Sequence, residues 1–520
     1  MAGGSKRAHT RPTPPSMQPI PRPLARRSSG VRSSSRPRRA LALIGLSLLA
    51  ATVLGCERKP RRTQPNVLLI TIDTLRADRI GSYGYALATS PAIDALAKRG
   101  VRFADTTVAW PKTWPSLASM VTGKYPISNG VLLRPRRPLP DESVTLAEAL
   151  QGAGYATGAV VANVNVGRDF GFAQGFDRFV ESWAEEATRL TGKPTFENAP
   201  GRVKRFTNGA RVTDQGIATL DALVAQGKER DRPFFLWLHY IDPHGPYVPP
   251  PAYAELFSGA HPSVPVALDL LPNYQLQIDP ATGQVSNDLG FYQTQYDREV
   301  RAVDAQIGRM LAALDERGLT GDTLIVLTAD HGESLGENDY YLEHGNVPYQ
   351  TIAAVPMIFA LAGRIPAGRV VEHPVGLIDL FATVLALTGT PLPPEAQSTS
   401  LVPLLSGEDA AAPAYVFMES GNVEPFQLAA RKGPWKLVLL RAAADREWLG
   451  RNEVELYDLR HDPTEQHDVR AENPAVAAEL QAALDAWQKN TPRYQGGGNT
   501  DLKKLDAGKQ DQLRALGYIE

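Results

Sequence analysis

The sequence predicts an α/β fold: a doubly wound, mostly parallel sheet flanked by helices, with a small C-terminal α+β subdomain. Two observations predict the sheet, since continuous apolar runs recur along the chain and amphipathic helical stretches lie between them. A third observation predicts the subdomain, because short strand-like segments with tight turns replace this alternation beyond residue 405. With 520 residues, 43% of them hydrophobic, the chain can bury a large core.

Five apolar runs predict the strands of the main sheet. They are NVLLITID (66–73), YATGAVVA (155–162), PFFLWLHYID (233–242), TLIVLTAD (323–330) and VPMIFALA (355–362). A parallel sheet is covered by helices on both faces, so an unbroken apolar run is the usual pattern of its strands. The runs therefore predict buried strands.

Amphipathic stretches predict helices at 90–100, 143–154 and 296–318. In the third stretch apolar residues recur at helical spacing, at Val300, Val303, Ile307, Met310, Leu311 and Leu314. Gly318 is a natural end for that helix. Asp297 and Asp304 lie one heptad apart on it, which predicts a solvated face rather than a site.

The patterns divide the chain into five regions. They are a disordered basic leader with a signal peptide (1–56), a linker (57–65), the main α/β domain (66–405), the C-terminal subdomain (406–490) and a tail (491–520). The subdomain contains the segments AYVFME, FQLAARKG, PWKLVLL and VELYDL, which predict a small antiparallel sheet, and a predicted helix at 475–488. Segments 184–215 and 255–290 are predicted surface insertions, and GGG at 496–498 is predicted to be flexible.

The charge is distributed unevenly along the chain. Residues 1–62 contain 14 Lys and Arg against Glu57 alone, about +13, while the whole chain carries −1, so the remainder carries −14. A basic leader on an acidic body is typical of a targeting segment. The acidic remainder argues against nucleic-acid binding by the folded part.

The leader has the features of an export signal. ALALIGLSLLAATVLG (40–55) is too short to span a bilayer comfortably and has the length of a signal-peptide h-region. It ends at Cys56, the only cysteine, and VLGC resembles a bacterial lipoprotein processing site, although Leu54 is unusual there. A plain secretory signal, a start at Met17 and a weak twin-arginine signal (RPRRALALIG) remain open. All of these interpretations predict an exported protein without an internal disulfide, and the lipoprotein site predicts a lipid anchor at Cys56 in a bacterial cell envelope.

Polar residues follow three predicted strands at the point where each strand ends. They are Asp73, then His239, Asp242 and His244, then Asp330 and His331. In open α/β sheets ligands bind beyond the carboxyl ends of the strands. Adjacent Asp330 and His331 can ligate one divalent ion, and Asp73 can add a second carboxylate. We therefore expect a site for one divalent metal ion, with calcium, manganese, magnesium and zinc left open.

The stretch KTWPSLASMVTG (112–123) predicts a short helix, with Pro115 in its first turn and Gly123 just past its end. Thr113 then lies at the helix N-terminus, where the dipole favours an anion. Taken alone, this position suits a helix cap as well as a nucleophile. A threonine hydroxyl reacts poorly at neutral pH, so nucleophilic attack would need activation by a metal.

Six motifs occur in the order and approximate spacing of one family. They are NVLLITIDTLRAD, TSPAIDALAKRGVRF, TWPSLASMVTGKYP, HYIDPHGPY, TADHGESLGE and ELYDLRHDPTE. With these motifs the chain resembles the sulfatase family of the alkaline phosphatase superfamily, from about residue 66 to 465. The resemblance implies a large α/β domain with a small C-terminal subdomain, a divalent metal and a covalent ester intermediate.

The resemblance also implies roles for individual residues. Metal ligands would be Asp73, Asp330, His331 and Thr113, the last also the nucleophile, and contacts to the ester's anionic oxygens or leaving group would be His244, His344 and His239. Weaker candidates are Ser116 and Ser119 as nucleophiles, Lys124 as an anion contact or a solvent-facing residue, and Trp110 and Trp114 as pocket walls or core residues. Asp242 could pair with His244, help to build a second metal site or cap a turn, and Pro243 favours the turn.

The chain departs from the common sulfatase pattern at the nucleophile. Most sulfatases have Cys or Ser there, converted to formylglycine, whereas this chain has Thr113, which cannot give that aldehyde. Leu117 replaces an anion-binding Arg of many sulfatases, and Thr74 replaces a second metal-binding Asp. These changes resemble threonine-nucleophile members of the wider superfamily, so phosphate esters are as plausible as sulfate esters.

The sequence thus predicts an exported, metal-dependent hydrolase of sulfate or phosphate esters. One alternative is a phosphotransferase that moves a headgroup from a lipid to an acceptor, but such enzymes usually have several transmembrane helices and this chain has no such run after residue 56. Another is an inactive binding protein on the same scaffold, which should have lost its metal ligands. The sequence leaves the oligomeric state open.

Overall fold

The computed structural model describes most of the chain beyond the leader. The described residues are 64–133, 136–183, 208–230, 232–408, 412–422, 424–441, 450–496 and 504–515. The predicted leader and Cys56 lie outside them, as do most of the predicted insertion at 184–215 and two glycines of the predicted flexible GGG.

A mostly parallel sheet forms the centre of the main domain. Its strands are β1 (Asn66–Ile72), β2 (Val101–Thr107), β3 (Ala156–Val161), β4 (Arg178–Glu181), β5 (Phe234–Tyr240), β6 (Thr323–Ala329), β7 (Ala354–Ala360), β8 (Arg369–Val371) and β9 (Val375–Gly376). The order is β4-β3-β5-β1-β6-β7-β2-β8, and β9 pairs with β2. Within the described residues only β7 runs against its neighbours, since it is antiparallel to β6 and β2.

Helices cover both faces of this sheet. The described helices of the whole chain are α1 (Pro91–Arg99), α2 (Thr113–Thr122), α3 (Pro126–Asn129), α4 (Leu146–Gly152), α5 (Gly209–Arg230), α6 (Leu289–Glu316), α7 (Gln350–Ala353), α8 (Leu380–Thr388), α9 (Val402–Ser406), α10 (Pro474–Asn490) and α11 (Ala507–Ala515). Alternate residues of β5 point to opposite sides: Trp237 lies beside Leu146 of α4, and Leu238 packs against Gly216 of α5. The predicted doubly wound α/β fold is confirmed.

The five predicted strands all form, and burial explains them. Every residue of β1, β3, β5 and β6 is buried, as expected for strands covered on both faces. At the helix ends, Thr145 and Glu148 form a capping box on α4, and Gly123 ends α2 with a φ of 65° that suits glycine.

Several elements were not predicted from the sequence. Strands β2, β4, β8 and β9 are short or partly exposed, and helix α8 is apolar on nearly all sides, so it shows no amphipathic pattern. Helix α5 begins inside the predicted insertion at 184–215, and α6 begins seven residues before the predicted 296. Segment 255–290 contains three-ten turns and isolated bridges instead of long elements.

The predicted solvated face of α6 is wrong, because Asp297 and Asp304 are both buried. Asp297 accepts hydrogen bonds from Tyr85 Oη (2.5 Å) and Arg79 (3.3 Å). Asp304 accepts hydrogen bonds from backbone N–H groups at the start of α1. Helix α6 packs against both α1 and α5. Polar residues of α6 are therefore buried as well as its apolar stripe.

The predicted antiparallel sheet of the C-terminal subdomain is confirmed. Its strands are β10 (Val416–Ser420), β11 (Gln427–Lys432), β12 (Trp435–Leu439) and β13 (Val454–Asp458), paired in that order, with α10 packed on β11 and β12. Arg431 of β11 forms a two-pronged ion pair with Asp105 of β2. No helix among the described residues combines the length and the apolar character that crossing a membrane requires.

Candidate active site

Sheet order brings the predicted metal ligands together. Strand β1 lies between β5 and β6, so the residues that follow their carboxyl ends meet at one edge of the sheet. Asp73 follows β1, and Asp330 and His331 follow β6. One ligand atom from each of these three buried side chains lies within 4.8 Å of the other two.

Asp73 is fully buried between polar groups. Its Oδ2 accepts a hydrogen bond from Asn163 Nδ2 (2.7 Å) and lies 3.6 Å from His239 Nε2, while its Oδ1 lies 3.8 Å from His331 Nε2. Burial alone would raise the pKa of Asp73, but the neighbouring histidines, His244 foremost, outweigh it and hold the pKa below its usual value. Asp73 is therefore an ionised carboxylate.

Asp330 presents one oxygen, Oδ2, to the cluster, and His331 presents the lone pair of one ring nitrogen, Nε2. Asp330 Oδ1 accepts from the backbone N–H groups of Thr74 (3.1 Å) and His331 (2.8 Å), whereas the buried Oδ2 has no hydrogen-bond partner among the described residues. His331 Nδ1 donates to the Gly332 carbonyl (2.8 Å), so Nε2 carries the lone pair. Burial lowers the pKa of His331 to about 3, and burial together with Asp73 raises the pKa of Asp330.

These donors fit a divalent cation. Two carboxylates and a neutral imidazole are ligands for zinc and manganese, and carboxylates alone also suit calcium and magnesium. A buried carboxylate oxygen without a partner, Asp330 Oδ2, costs free energy that a cation would offset. Because Gly332 has no side chain, the backbone that follows β6 can lie close to the backbone of Thr351. A Cβ at Gly332 would lie 2.5 Å from the Thr351 carbonyl oxygen.

Thr113 is the first residue of α2 and is fully buried beside the ligand cluster. Its Oγ1 lies 3.1 Å from His331 Nε2 and 3.5 Å from Asp73 Oδ1. The weaker nucleophile candidates are inside the helix, as expected, and their hydroxyls donate to carbonyl groups: Ser116 to Asp330 (2.5 Å) and Ser119 to Pro115 (2.9 Å). Of these three hydroxyls, that of Thr113 contacts two of the predicted metal ligands, His331 and Asp73.

The three predicted histidines are all buried, at different depths around this cluster. His239 lies within β5 behind Asp73, with Nδ1 2.9 Å from Thr71 Oγ1. His344 stacks on His331, with ring centroids 4.4 Å apart, and meets His244 edge-on at 5.3 Å. His344 thus adjoins the His331 ring that contacts Thr113, and His244 adjoins His344, whereas His239 reaches the site through Asp73.

The remaining candidates have structural contacts. Asp242 accepts a hydrogen bond from the Gly209 N–H (2.7 Å), at the first residue of α5. Trp110 and Trp114 are core residues, edge-on to Phe426 and Phe170 respectively.

Lys124 follows α2 and Leu117 lies within it, and the two residues have different surroundings. Lys124 lies 4.0 Å from the Glu395 carboxylate and is mostly covered. Leu117, at the position of an arginine in many sulfatases, is buried in the main core.

Three residues at the site were missed by the sequence analysis. Asn163 contacts Asp73, Glu333 contacts His344, and Lys112 Nζ lies 3.4 Å from the His344 carbonyl oxygen. Asn163 follows the end of a predicted strand, the same signal that indicated Asp73. Glu333 and Lys112 lie within quoted motifs, but nothing in the pattern distinguishes them from solvated charges.

Comparisons with known proteins identify the family. The family model described as "Sulfatase" matches residues 65–390, and the model described as "N-sulphoglucosamine sulphohydrolase, C-terminal" matches residues 336–490. An ulvan-active sulfatase from Formosa agariphila is 27% identical over 472 residues, 86% of this chain and 86% of that protein.

Solved structures share the fold. Phosphonate monoester hydrolase from Silicibacter pomeroyi is 25% identical, with a TM-score of 0.63, and the match covers 82% of this chain and 96% of that one. A protein solved in complex with its substrate D-glucosamine-2-N,6-O-disulfate is 22% identical, with a TM-score of 0.65 and coverage of 83% and 100%. Because the family model alone spans more than half of the sequence, the chain belongs to the sulfatase family, in the alkaline phosphatase superfamily, and is a sulfatase-like ester hydrolase.

Proposed function

We propose that this chain is an exported, metal-dependent hydrolase that cleaves sulfate or phosphate esters through a covalent intermediate on Thr113. The supporting observation is the position of Thr113 Oγ1, between His331 Nε2 at 3.1 Å and Asp73 Oδ1 at 3.5 Å, at the start of a ten-residue helix. The positive end of the helix dipole favours the alkoxide and the anionic ester at the same place.

Asp73, Asp330, His331 and the Thr113 hydroxyl would hold one divalent ion, calcium, manganese, magnesium or zinc. Sulfatases use a divalent metal, and the cluster of two carboxylates and one imidazole could hold one. When bound, such an ion supplies a Lewis acid that lowers the pKa of a hydroxyl and offsets negative charge on the ester. Asn163 would hold the Asp73 carboxylate in place through its 2.7 Å hydrogen bond.

The proposed reaction has two steps. The Thr113 oxygen forms a bond to the sulfur or phosphorus of the ester, and the bond to the leaving oxygen breaks. The leaving oxygen keeps the electron pair and gains a proton, and Thr113 loses one, so the step needs no further reactant. Water then cleaves the new bond at sulfur or phosphorus, which restores Thr113 and releases sulfate or phosphate.

His244 and His344 would contact the anionic oxygens or the leaving group, because the His344 ring stacks on His331 and the His244 ring meets His344 edge-on. His239 would orient Asp73, from which its Nε2 is 3.6 Å away. The site is buried, so contacts made there are little weakened by water.

Threonine at the nucleophile position supports phosphorus as well as sulfur chemistry. An aldehyde hydrate can expel sulfate by returning to the carbonyl, whereas an ester of threonine must be hydrolysed at sulfur or phosphorus. The likeness to a phosphonate monoester hydrolase at 25% identity points the same way. We therefore include phosphate esters in the proposal on equal terms.

Purified protein should be incubated with aryl sulfate, aryl phosphate, aryl phosphodiester and aryl phosphonate, each with manganese, zinc, calcium or magnesium. We expect turnover of at least one ester and, after rapid quenching, a sulfated or phosphorylated peptide containing Thr113. Thr113→Ala should lower kcat by at least about a thousandfold, as expected for loss of a nucleophile. Ser119→Ala is the matched control, because its hydroxyl is bonded inside the same helix. Undiminished turnover by Thr113→Ala would overturn the nucleophile assignment.

The proposed export and lipid anchor rest on the leader alone. A basic segment, an apolar run and Cys56 in VLGC support processing as a bacterial lipoprotein. Mass spectrometry of the mature N-terminal peptide from cells should find diacylated Cys56. A mature chain that begins elsewhere without a lipid would contradict the anchor and leave export intact.

A further inference from the structure

Glu333 is a fully buried carboxylate that the proposed reaction leaves without a role. Its Oε1 accepts a hydrogen bond from His344 Nδ1 (2.8 Å), and its Oε2 accepts one from Tyr247 Oη (3.0 Å). Burying a carboxylate costs free energy even when it is hydrogen-bonded, since water solvates the charge better. Both oxygens of Glu333 nevertheless point at side chains beside the site.

The bond to Glu333 determines which edge of the His344 ring faces the site. Nδ1 is directed to Glu333, and Nε2, on the other side of the ring, is buried without a hydrogen-bond partner among the described residues. The ring stacks on His331 at an interplanar angle of 30°, and His331 Nε2 lies 3.1 Å from Thr113 Oγ1. His344 Nε2 is therefore available to a group bound next to Thr113.

Tyr247 connects Glu333 to the loop that carries Asp73. The Tyr247 ring packs edge-on against Tyr296, with ring centroids 5.5 Å apart. Tyr296 Oη donates to the Thr74 carbonyl (2.7 Å) and accepts from the Arg76 N–H (3.0 Å). Glu333 is thus held on one side by a rigid aromatic pair, so it can fix the position of a ring on its other side.

We infer that Glu333 is a positioning residue: it holds the imidazole of His344 with Nε2 directed toward the ester at Thr113. The inference rests on the proposed function, because it assumes that His344 contacts the ester. The competing explanation is that Glu333 merely ties the loop after β6 to the segment around Tyr247. The two explanations differ in whether the effect of Glu333 passes through His344.

A double-mutant cycle on kcat/KM separates them. Glu333→Leu removes both acceptors at similar volume, and we expect it to lower kcat/KM about 10- to 100-fold, as loss of a supporting hydrogen bond at a catalytic histidine does. His344→Ala should cost at least as much. In the double variant Glu333→Leu should add less than about twofold to the loss from His344→Ala, because a positioning residue has no effect without the ring that it positions. Additive losses, or wild-type kcat/KM in either single variant, would overturn the inference.

Conservative replacement gives a second readout. In Glu333→Gln the amide oxygen still accepts from Nδ1, so we expect kcat/KM within about tenfold of the wild type. Should Glu333→Leu fail to fold, Tyr247→Phe replaces it in the cycle, since it removes the hydroxyl that anchors Glu333 Oε2. A crystal structure of the Leu or Phe variant should show the His344 ring rotated away from Thr113, and an unmoved ring would contradict the inference.

Glu455→Gln is the matched control. Glu455 is also buried and also accepts from tyrosine hydroxyls, Tyr349 (3.0 Å) and Tyr457 (2.8 Å), but it belongs to the C-terminal sheet. We expect lower stability with kcat/KM within about twofold of the wild type. Wild-type protein that turns over no ester defeats the proposed function itself, whereas an active wild type with an additive cycle defeats the role of Glu333 alone.

Discussion

Asn163 orients the carboxylate that faces Thr113, through the 2.7 Å hydrogen bond to Asp73 Oδ2. Its own oxygen accepts from the Asn165 N–H (3.0 Å), so the amide cannot turn without losing a second bond. Residues that support a metal ligand in this way usually contribute 10- to 100-fold to affinity or activity. Asn163 is therefore the position at which the proposed metal site can be tested without changing a ligand.

We expect Asn163→Ala to weaken manganese binding about 10- to 100-fold and to lower kcat/KM by a similar factor, because Asp73 loses its orienting donor. Isothermal titration with manganese measures the first effect independently of turnover. Asn129→Ala is the control, since Asn129 is also buried and also bonds to the backbone, at Val131 and Lys124. It should lower stability and leave manganese affinity unchanged, and equal loss of affinity in both variants would contradict the prediction.

A second residue-scale prediction concerns Asp379, a buried carboxylate that accepts from the Thr399 N–H (2.7 Å) and the Gly376 N–H (3.2 Å). Burial raises its pKa to about 7, from 3.8 in the unfolded chain. Between these values the folded protein binds more protons, so the free energy of unfolding falls as pH rises, by up to about 1.4 kcal/mol per pH unit. Urea unfolding at pH 5 and pH 7 should show the wild type losing stability relative to Asp379→Asn. Parallel pH dependences would rule the shift out.

At the scale of elements, the strand ends that carry Asp73 and Asp330 were predictable, because buried parallel strands are continuous apolar runs and their carboxyl ends share an edge. The helix carrying Thr113 was predictable from Pro115 and Gly123. The burial of Asp304 was not predictable, because a carboxylate that caps another helix has the same sequence spacing as a carboxylate that faces solvent. Nor was the pairing of Glu333 with His344, which depends on how two loops fold against each other.

The contact between α6 and α1 gives an element-scale prediction. Asp304 of α6 accepts hydrogen bonds from the backbone N–H groups of Ala92 (3.0 Å) and Ile93 (2.9 Å). These groups lie in the first turn of α1, where N–H groups have no acceptor within the helix itself. Asp304→Ala should lower the free energy of unfolding by about 1–3 kcal/mol, because buried donors lose their acceptor. Glu316→Gln, an exposed carboxyl on the same helix, should change it by less than about 0.5 kcal/mol. Equal urea midpoints for the two variants would contradict the prediction.

At the scale of the whole molecule, ionic contacts join the C-terminal sheet to the main domain. Arg431 is almost fully buried against Asp105 of β2. Within the subdomain, Lys436 lies 2.7 Å from Glu465, and both side chains are fully buried. Lys436 Nζ also donates to Gln350 Oε1 (3.2 Å), at the start of α7. Asn338, in the segment after β6 that also carries Glu333 and His344, donates to the Thr464 carbonyl (3.1 Å), so the subdomain contacts this segment.

The last helix, α11, returns to the main domain beside the turn that follows Asn163, and this contact predicts a structural role for the tail beyond both family models. Leu513 is fully buried in the main core, and Lys509 forms an ion pair with Asp169. Leu513→Ala should lower the free energy of unfolding by about 2–5 kcal/mol, because truncating a buried leucine leaves a cavity. Arg514→Ala is the control, since Arg514 is exposed in the same helix, and it should change the free energy of unfolding by less than about 0.5 kcal/mol. Urea unfolding of both variants measures this. If a chain ended at residue 496 unfolds at the wild-type midpoint, α11 does not dock on this domain in solution.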